Sequence, residues 1–257
     1  MVAGDRSRTF ARIISFIFDG SVLALPVFLV VCFYRQNNLV SVLPAFFTSV
    51  VFTALIPYLF ILYLYRIGKI SDLQLPKRKE RIIPLIIINL SILVGFVILF
   101  FIDSSRLLKT VYFIYLAGVP VLSVITIFWK ISFHSSYITM FSMIFLLVFG
   151  KWALITMILI PLVGWSRLRL KRHTLAQVLL GISVSGLISY IIIYINGYFT
   201  SSYRVLGELY AVLNSASGYF NFSFFLNNIN ILTLVMIMIL FGYSRKIRWS
   251  SLSIDHI

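Results

Sequence analysis

Residues 82–102 read IIPLIIINLSILVGFVILFFI, and this stretch decides the fold. It contains no Asp, Glu, Lys or Arg. As a helix it would rise ~31 Å, at about 1.5 Å per residue, close to the ~30 Å hydrocarbon core of a bilayer. In lipid every backbone N–H and C=O must pair inside the protein, which leaves helices and closed barrels. The stretch shows no alternation of period two, so a barrel strand does not fit. The expectation is a membrane-crossing helix.

Similar apolar runs lie on both sides, at about 13–34, 40–65, 107–129, 135–149, 152–165, 174–196 and 229–243. The first is interrupted by Asp19-Gly20, so residues 6–18 also read as a helix lying at the membrane interface. The second contains Pro44 and Pro57, which neighbouring helices can accommodate in a membrane. The pair 135–149 and 152–165 is short, with Lys151 at the turn. Hydrophobic residues make up 61% of the chain and its mean hydropathy is +1.03. A soluble domain has about 45–50%. The predicted fold is a single all-α domain over residues 1–257: a polytopic transmembrane helical bundle with six core crossings and further helices. There is no internal repeat or low-complexity tract.

The formal charge is +15. On a soluble protein that would suggest nucleic acid. Here the basic residues sit between apolar runs, which suits anionic lipid or a phosphorylated substrate, and no nucleic-acid partner is expected. If all eight runs cross, one face receives both termini and the loops 66–81, 130–134 and 166–173. The other face holds only Arg35, Arg106, Lys109, Lys151 and Arg204 of the 22 Lys and Arg. The positive-inside rule then makes the first face cytoplasmic, in a multi-pass protein of the inner or plasma membrane. The lone cysteine, Cys32, allows no intrachain disulfide.

Of the three histidines, His256 lies in the tail, whereas His134 and His173 each sit where a basic loop meets an apolar run on the same face. A third loop there reads Lys77-Arg78-Lys79-Glu80-Arg81-Ile82-Ile83-Pro84. Two imidazoles and several guanidinium groups at one depth suit phosphoryl transfer. Arginine's planar fork matches phosphate oxygens, a neutral imidazole can attack phosphorus, and a second can protonate the leaving oxygen. Asp72, which could pair with a nearby Lys or Arg, and Arg169 are lesser candidates, whereas Asp19 is expected to have a partner or to lie at the interface rather than to act in catalysis.

These residues carry a resemblance. Ser166-Arg167, five residues, His173, three residues, Gln177 resembles the last signature, Ser-Arg-x5-His-x3-Asp, of the type 2 phosphatidic acid phosphatase and haloperoxidase superfamily. Ile131-Ser132-Phe133-His134 resembles its Pro-Ser-Gly-His signature. The stretch ending at Pro84 loosely resembles Lys-x6-Arg-Pro, with Arg78, Arg81 and Lys77 as candidates. The resemblance covers about residues 69–195 and leaves 197–257 as an extension.

The resemblance implies a lipid phosphate or isoprenyl diphosphate phosphatase that needs no metal or cofactor. His173 would attack the phosphate, His134 would protonate the leaving alkoxide, and water would release phosphate from the phosphohistidine. Arg167, Arg78, Arg81 and Lys77 would hold the oxygens, with Ser132 and Ser166 beside them. Gln177 stands where the pattern has Asp, and Phe133 where it has Gly. On a helix, His173 and Gln177 would share a face. The amide could fix the tautomer of the ring but not stabilise its charge. Two other expectations stand beside this one: a non-catalytic lipid-phosphate binder or scaffold of the same fold, and a transporter of phosphorylated lipid.

Overall fold

The computed structural model describes residues 3–34, 38–102 and 104–198. The apolar run at 229–243, most of the extension, His256, Arg35, Arg204, Arg245, Lys246 and Arg248 lie outside the described residues. Every regular element among the described residues is helical.

Asp19 divides the first apolar run. Helix α1 (Ala3–Ile17) stops before it and α2 (Gly20–Phe33) begins after it, bent by 48° from α1. The cause is local: the Asp19 backbone is extended, and its Oδ1 accepts the Ser21 N–H at 3.1 Å as the N-cap of α2. The expected continuous crossing over 13–34 is therefore two helices. Arg6, Arg8 and Arg12 of α1 are exposed, while Ala11, Ile14 and Ser15 are buried.

Helix α3 (Leu39–Val50) passes through a π-helical turn, Val51–Leu55, into α4 (Ile56–Arg66). Pro57 explains the turn. It has no N–H to give, and its ring crowds the carbonyl four residues back. The Ile56 N–H bonds to Val51 O instead of Phe52 O, and Ser91 Oγ from the next helix takes up Phe52 O at 2.6 Å. A neighbouring hydroxyl thus satisfies the backbone group that the proline region releases.

A short 3₁₀ turn, Lys79–Arg81, leads into α5 (Ile82–Phe101), followed by α6 (Arg106–Phe128). Helix α6 is apolar around its circumference and is enclosed by its neighbours: Val111, Tyr112, Ile114, Leu116, Val119 and Leu122 are all fully buried. Helix α7 (Phe133–Phe149) ends at Gly150, whose φ of 60° and ψ of −142° lie in a region that favours glycine. A 3₁₀ stretch, Gly150–Ile158, and α8 (Leu159–Arg169) then run back along α7. Ser142 Oγ reaches Thr156 O at 3.1 Å, a contact that a straight helix would hold ~21 Å apart. The reversal falls at Gly150, one residue before the expected Lys151. Helix α9 (Leu175–Ile195) packs on α7, and Gly181 makes this possible: a Cβ there would lie 2.8 Å from Ser132 O and 2.9 Å from Ser136 Oγ.

By length and composition five stretches could cross a membrane, Leu39–Arg66, Lys79–Phe101, Arg106–Phe128, Phe133–Arg169 and Leu175–Ile195, of which Phe133–Arg169 is folded back on itself at Gly150. The bent pair α1 and α2 makes a sixth if taken as one span. Outward side chains such as Leu29, Val97, Phe101, Trp152, Ile155 and Leu187 are exposed, an apolar exterior compatible with an integral membrane protein.

The loops at one end interlock. Arg78 Nη1 donates to Phe128 O at 2.6 Å, Lys130 Nζ to Arg172 O at 2.8 Å, and Arg172 pairs with Asp72 at 2.8 Å. The Ser132 N–H donates to Gln177 O at 3.3 Å. The ends of α4, α6 and α8 thus meet the starts of α5, α7 and α9. At the opposite end Arg106 Nη2 reaches Asn196 O at 2.6 Å.

Candidate active site

Thr174 caps α9. Its Oγ1 accepts the Gln177 N–H at 3.4 Å, and Gln177 Oε1 accepts the Thr174 N–H at 3.2 Å, a reciprocal capping box. The same Oε1 lies 3.2 Å from His173 Nδ1. A backbone N–H can only donate, so the Gln177 atom that meets it is the oxygen. Nδ1 must then carry the proton. Nε2 is left with its lone pair, the state in which an imidazole is a nucleophile.

His173 lines an inner cleft with an empty volume of about 830 Å³, including its open mouth. Burial, then Arg81, Arg167 and Lys130, push the His173 pKa down to about 3, and the Gln177 bond only partly offsets them. The ring is therefore neutral at physiological pH. Burial and the neighbouring Arg81, Arg167 and Arg172 also lower the pKa of Lys130.

Arg81 reaches this cleft from the start of α5. Its Nε donates to Leu75 O at 2.7 Å and its Nη1 to Ile131 O at 3.0 Å, and the guanidinium lies 5.8 Å from the centroid of Phe133. Arg167 is the largest fully buried side chain among the described residues. One of its terminal nitrogens donates to Ser15 Oγ and, at 2.9 Å, to Gln74 Oε1, while its Nε has no partner among the described residues. Neither guanidinium has a carboxylate within ion-pairing distance among the described residues. Glu80 is turned away, accepting from Ser71 and pairing with Lys77 at 3.1 Å. Asp19 and Asp72 act on Arg167 only at longer range, and two buried cations with no carboxylate in contact are costly unless an anion completes the site.

His134 faces the same cleft from the first turn of α7. Its Nε2 lies 3.1 Å from Ser15 O and 3.4 Å from Asp19 Oδ2. Both are acceptors, so Nε2 bears a proton. The cleft continues between the helices along Thr53, Pro57, Ile61, Leu85, Ile88, Ile92, Tyr115 and Tyr137, an apolar lining below a polar mouth. A wider outer cavity shares Asp19, Ser21, Leu73 and Gln74 with it, and is rimmed by Arg8, Arg12, Lys130, Lys171 and Arg172.

The expected residues thus divide. His173, His134 and Arg81 line the cleft, and Arg167 and Gln177 reach it through their bonds to Gln74 and His173. Arg78 is exposed and bound to Phe128 O, and Lys77 is exposed and paired with Glu80; neither lines the cleft. Ser132 Oγ is engaged with Ser135 as the N-cap of α7, and Ser166 Oγ bonds back to Val163 O at 2.8 Å. The first hydroxyl caps a helix and the second bonds within α8. Ser15 and Gln74 were not expected, since their partner Arg167 lies 152 and 93 residues away. The capping box was legible, because Thr174-x-x-Gln177 before an apolar run is a recognised helix start.

No protein-family model, curated protein or solved structure matches the chain.

Proposed function

We propose that this protein is an integral membrane hydrolase that removes phosphate from a phosphorylated lipid through a phosphohistidine. The observation that carries the reading is the pair of buried guanidinium groups, Arg81 and Arg167, without carboxylate partners beside a neutral histidine whose Nε2 lone pair is free. A phosphate dianion supplies the missing negative charge. His173 Nε2 attacks phosphorus as the ester P–O bond breaks, and His134 gives the leaving oxygen its proton. Water then cleaves the N–P bond and inorganic phosphate leaves. Arg81 and Arg167 stabilise the charge on the non-bridging oxygens in both steps. The apolar lining from Pro57 to Ile92 suits a single hydrocarbon tail, so the substrate class is an acyl or isoprenyl lipid with a terminal phosphate or diphosphate.

In this reading seven segments cross the bilayer: α2, α3 with α4, α5, α6, α7, the 3₁₀ stretch with α8, and α9. Helix α1 lies along the surface at the end that holds the site. The basic loops at that end make it cytoplasmic, with the amino terminus on the same side. The architecture and His134/His173 pairing support membership of the type 2 phosphatidic acid phosphatase superfamily as a divergent branch.

The test is phosphate release by full-length protein in detergent with a chelator present. Phosphatidate, lysophosphatidate and isoprenyl mono- and diphosphates form the panel, with His173→Ala beside the wild type. Turnover that disappears in His173→Ala is expected. A second reading, a lipid-phosphate binder without turnover, is favoured by Gln177 standing where a carboxylate would support the charged ring. Saturable binding of the same lipids without phosphate release by folded protein would establish it.

A further inference from the structure

We infer that Asp19 is a positioning residue for the acid–base histidine, His134, placing a carboxylate beside its ring from the segment between α1 and α2. This rests on the hydrolase reading above. The two Asp19 oxygens have separate partners. Oδ1 caps α2 through the Ser21 N–H at 3.1 Å, which fixes the side chain, and Oδ2 lies 3.4 Å from His134 Nε2. Ser15 O, one turn earlier, holds the same nitrogen at 3.1 Å. Gly20 lets the segment approach: a Cβ there would lie 2.4 Å from the Tyr137 ring, which lines the cleft with His134.

The chemistry needs this charge. A histidine that protonates an alkoxide must first be an imidazolium, and in this site it faces Arg81 and Arg167. A neutral carbonyl such as Ser15 O holds the ring but does little to offset those cations. An ionised carboxylate does offset them. With Nε2–H bonded to Ser15 O and Asp19 Oδ2 beside it, Nδ1 is the nitrogen that has no partner among the described residues. As His173 Nε2 bonds to phosphorus and the P–O bond breaks, the Nδ1 proton passes to the leaving oxygen. The ring, now neutral, accepts a proton from the water that attacks the phosphohistidine, and the N–P bond breaks. Burial raises the pKa of Asp19, and the Ser21 N–H and the charge of Arg167 work against that rise and favour its ionised form.

Asp19→Asn is the informative variant, because asparagine is as good an N-cap and removes only the charge. Its effect should depend on the leaving group. The probes are dodecyl phosphate, a strongly basic alkoxide leaving group, and a dodecyl-substituted nitrophenyl phosphate, which departs without a proton. The variant should lower the ratio of kcat on the alkyl to kcat on the aryl ester about tenfold or more, within the usual worth of general-acid catalysis. Asp19→Glu should restore part of that ratio. An equal loss on both probes, or no loss on either, overturns the inference while leaving the hydrolase standing. Wild-type protein that hydrolyses neither probe nor any lipid in the panel defeats the hydrolase reading, and the inference with it.

Discussion

His173 Nδ1 and Gln177 Oε1 lie 3.2 Å apart, and the direction of the proton between them is set by a third group, the Thr174 backbone N–H. The helix cap and the tautomer of the histidine are one arrangement. An amide at position 177 can therefore orient the ring even though it cannot neutralise its charge.

Gln177→Ala breaks both functions of the amide. Nδ1 loses its acceptor and Nε2–H becomes populated, so the lone pair needed for attack is lost in part of the molecules. The expected result is a fall in kcat of at least about tenfold; loss of tautomer control in a serine-protease triad costs ~10⁴. Histidine ¹⁵N chemical shifts in detergent micelles check the cause, since they report which ring nitrogen carries the proton.

The depressed pKa of His173, about 3, has a consequence for stability. Unfolded, the ring titrates near 6.5. Between those values the unfolded chain binds the extra proton and the folded chain does not. Folding stability therefore falls as pH drops from about 6.5 towards 3, through the proton-linkage relation. His173→Asn removes the titrating group and should flatten this part of the profile. Thermal melts in detergent across pH 7 to 4, for both proteins, measure the difference.

An anion that completes the Arg81 and Arg167 pair should stabilise the folded protein. Vanadate or inorganic phosphate at 100 times its Kd would add about 2.7 kcal/mol and raise the melting temperature. Arg167→Met should abolish the increment. Arg78→Ala should keep it, because Arg78 is bound to Phe128 O at the exposed loop and does not line the cleft. Loss of the increment in both variants would mean that the loop, not the cleft, binds the anion.

Gly181→Val tests the packing that holds the two histidines in register. The added Cβ would meet Ser132 O at 2.8 Å, and backbone cannot yield as a flexible side chain can. Separation of α7 from α9 should cost about 1–3 kcal/mol and lower kcat together with the melting temperature. A variant that melts like the wild type but has lost turnover would show that the site's register, not overall stability, depends on this contact.

The helical class, the apolar segments and the meeting of the three basic loops at one end follow from the sequence by itself. Each depends on local composition: runs such as 82–102 have one stable form in lipid, and charge must lie at their ends. The spacing from Arg167 to His173 and Gln177 was equally legible, because it spans one helix end and the next helix start. Tertiary structure decided the rest. It turned Arg81 inward and left Arg78 at the surface, although the two are three residues apart in one basic stretch. It used Ser132 to cap α7 and tied the Ser166 hydroxyl back within α8, split the first run at Asp19, and brought Ser15, Asp19 and Gln74 to His134 and Arg167. No local pattern encodes a contact between residues 15 and 167. It exists because α1 packs on α8 and the 67–78 loop folds over both, and those packings depend on the shapes of whole helices rather than on any stretch of chain read alone.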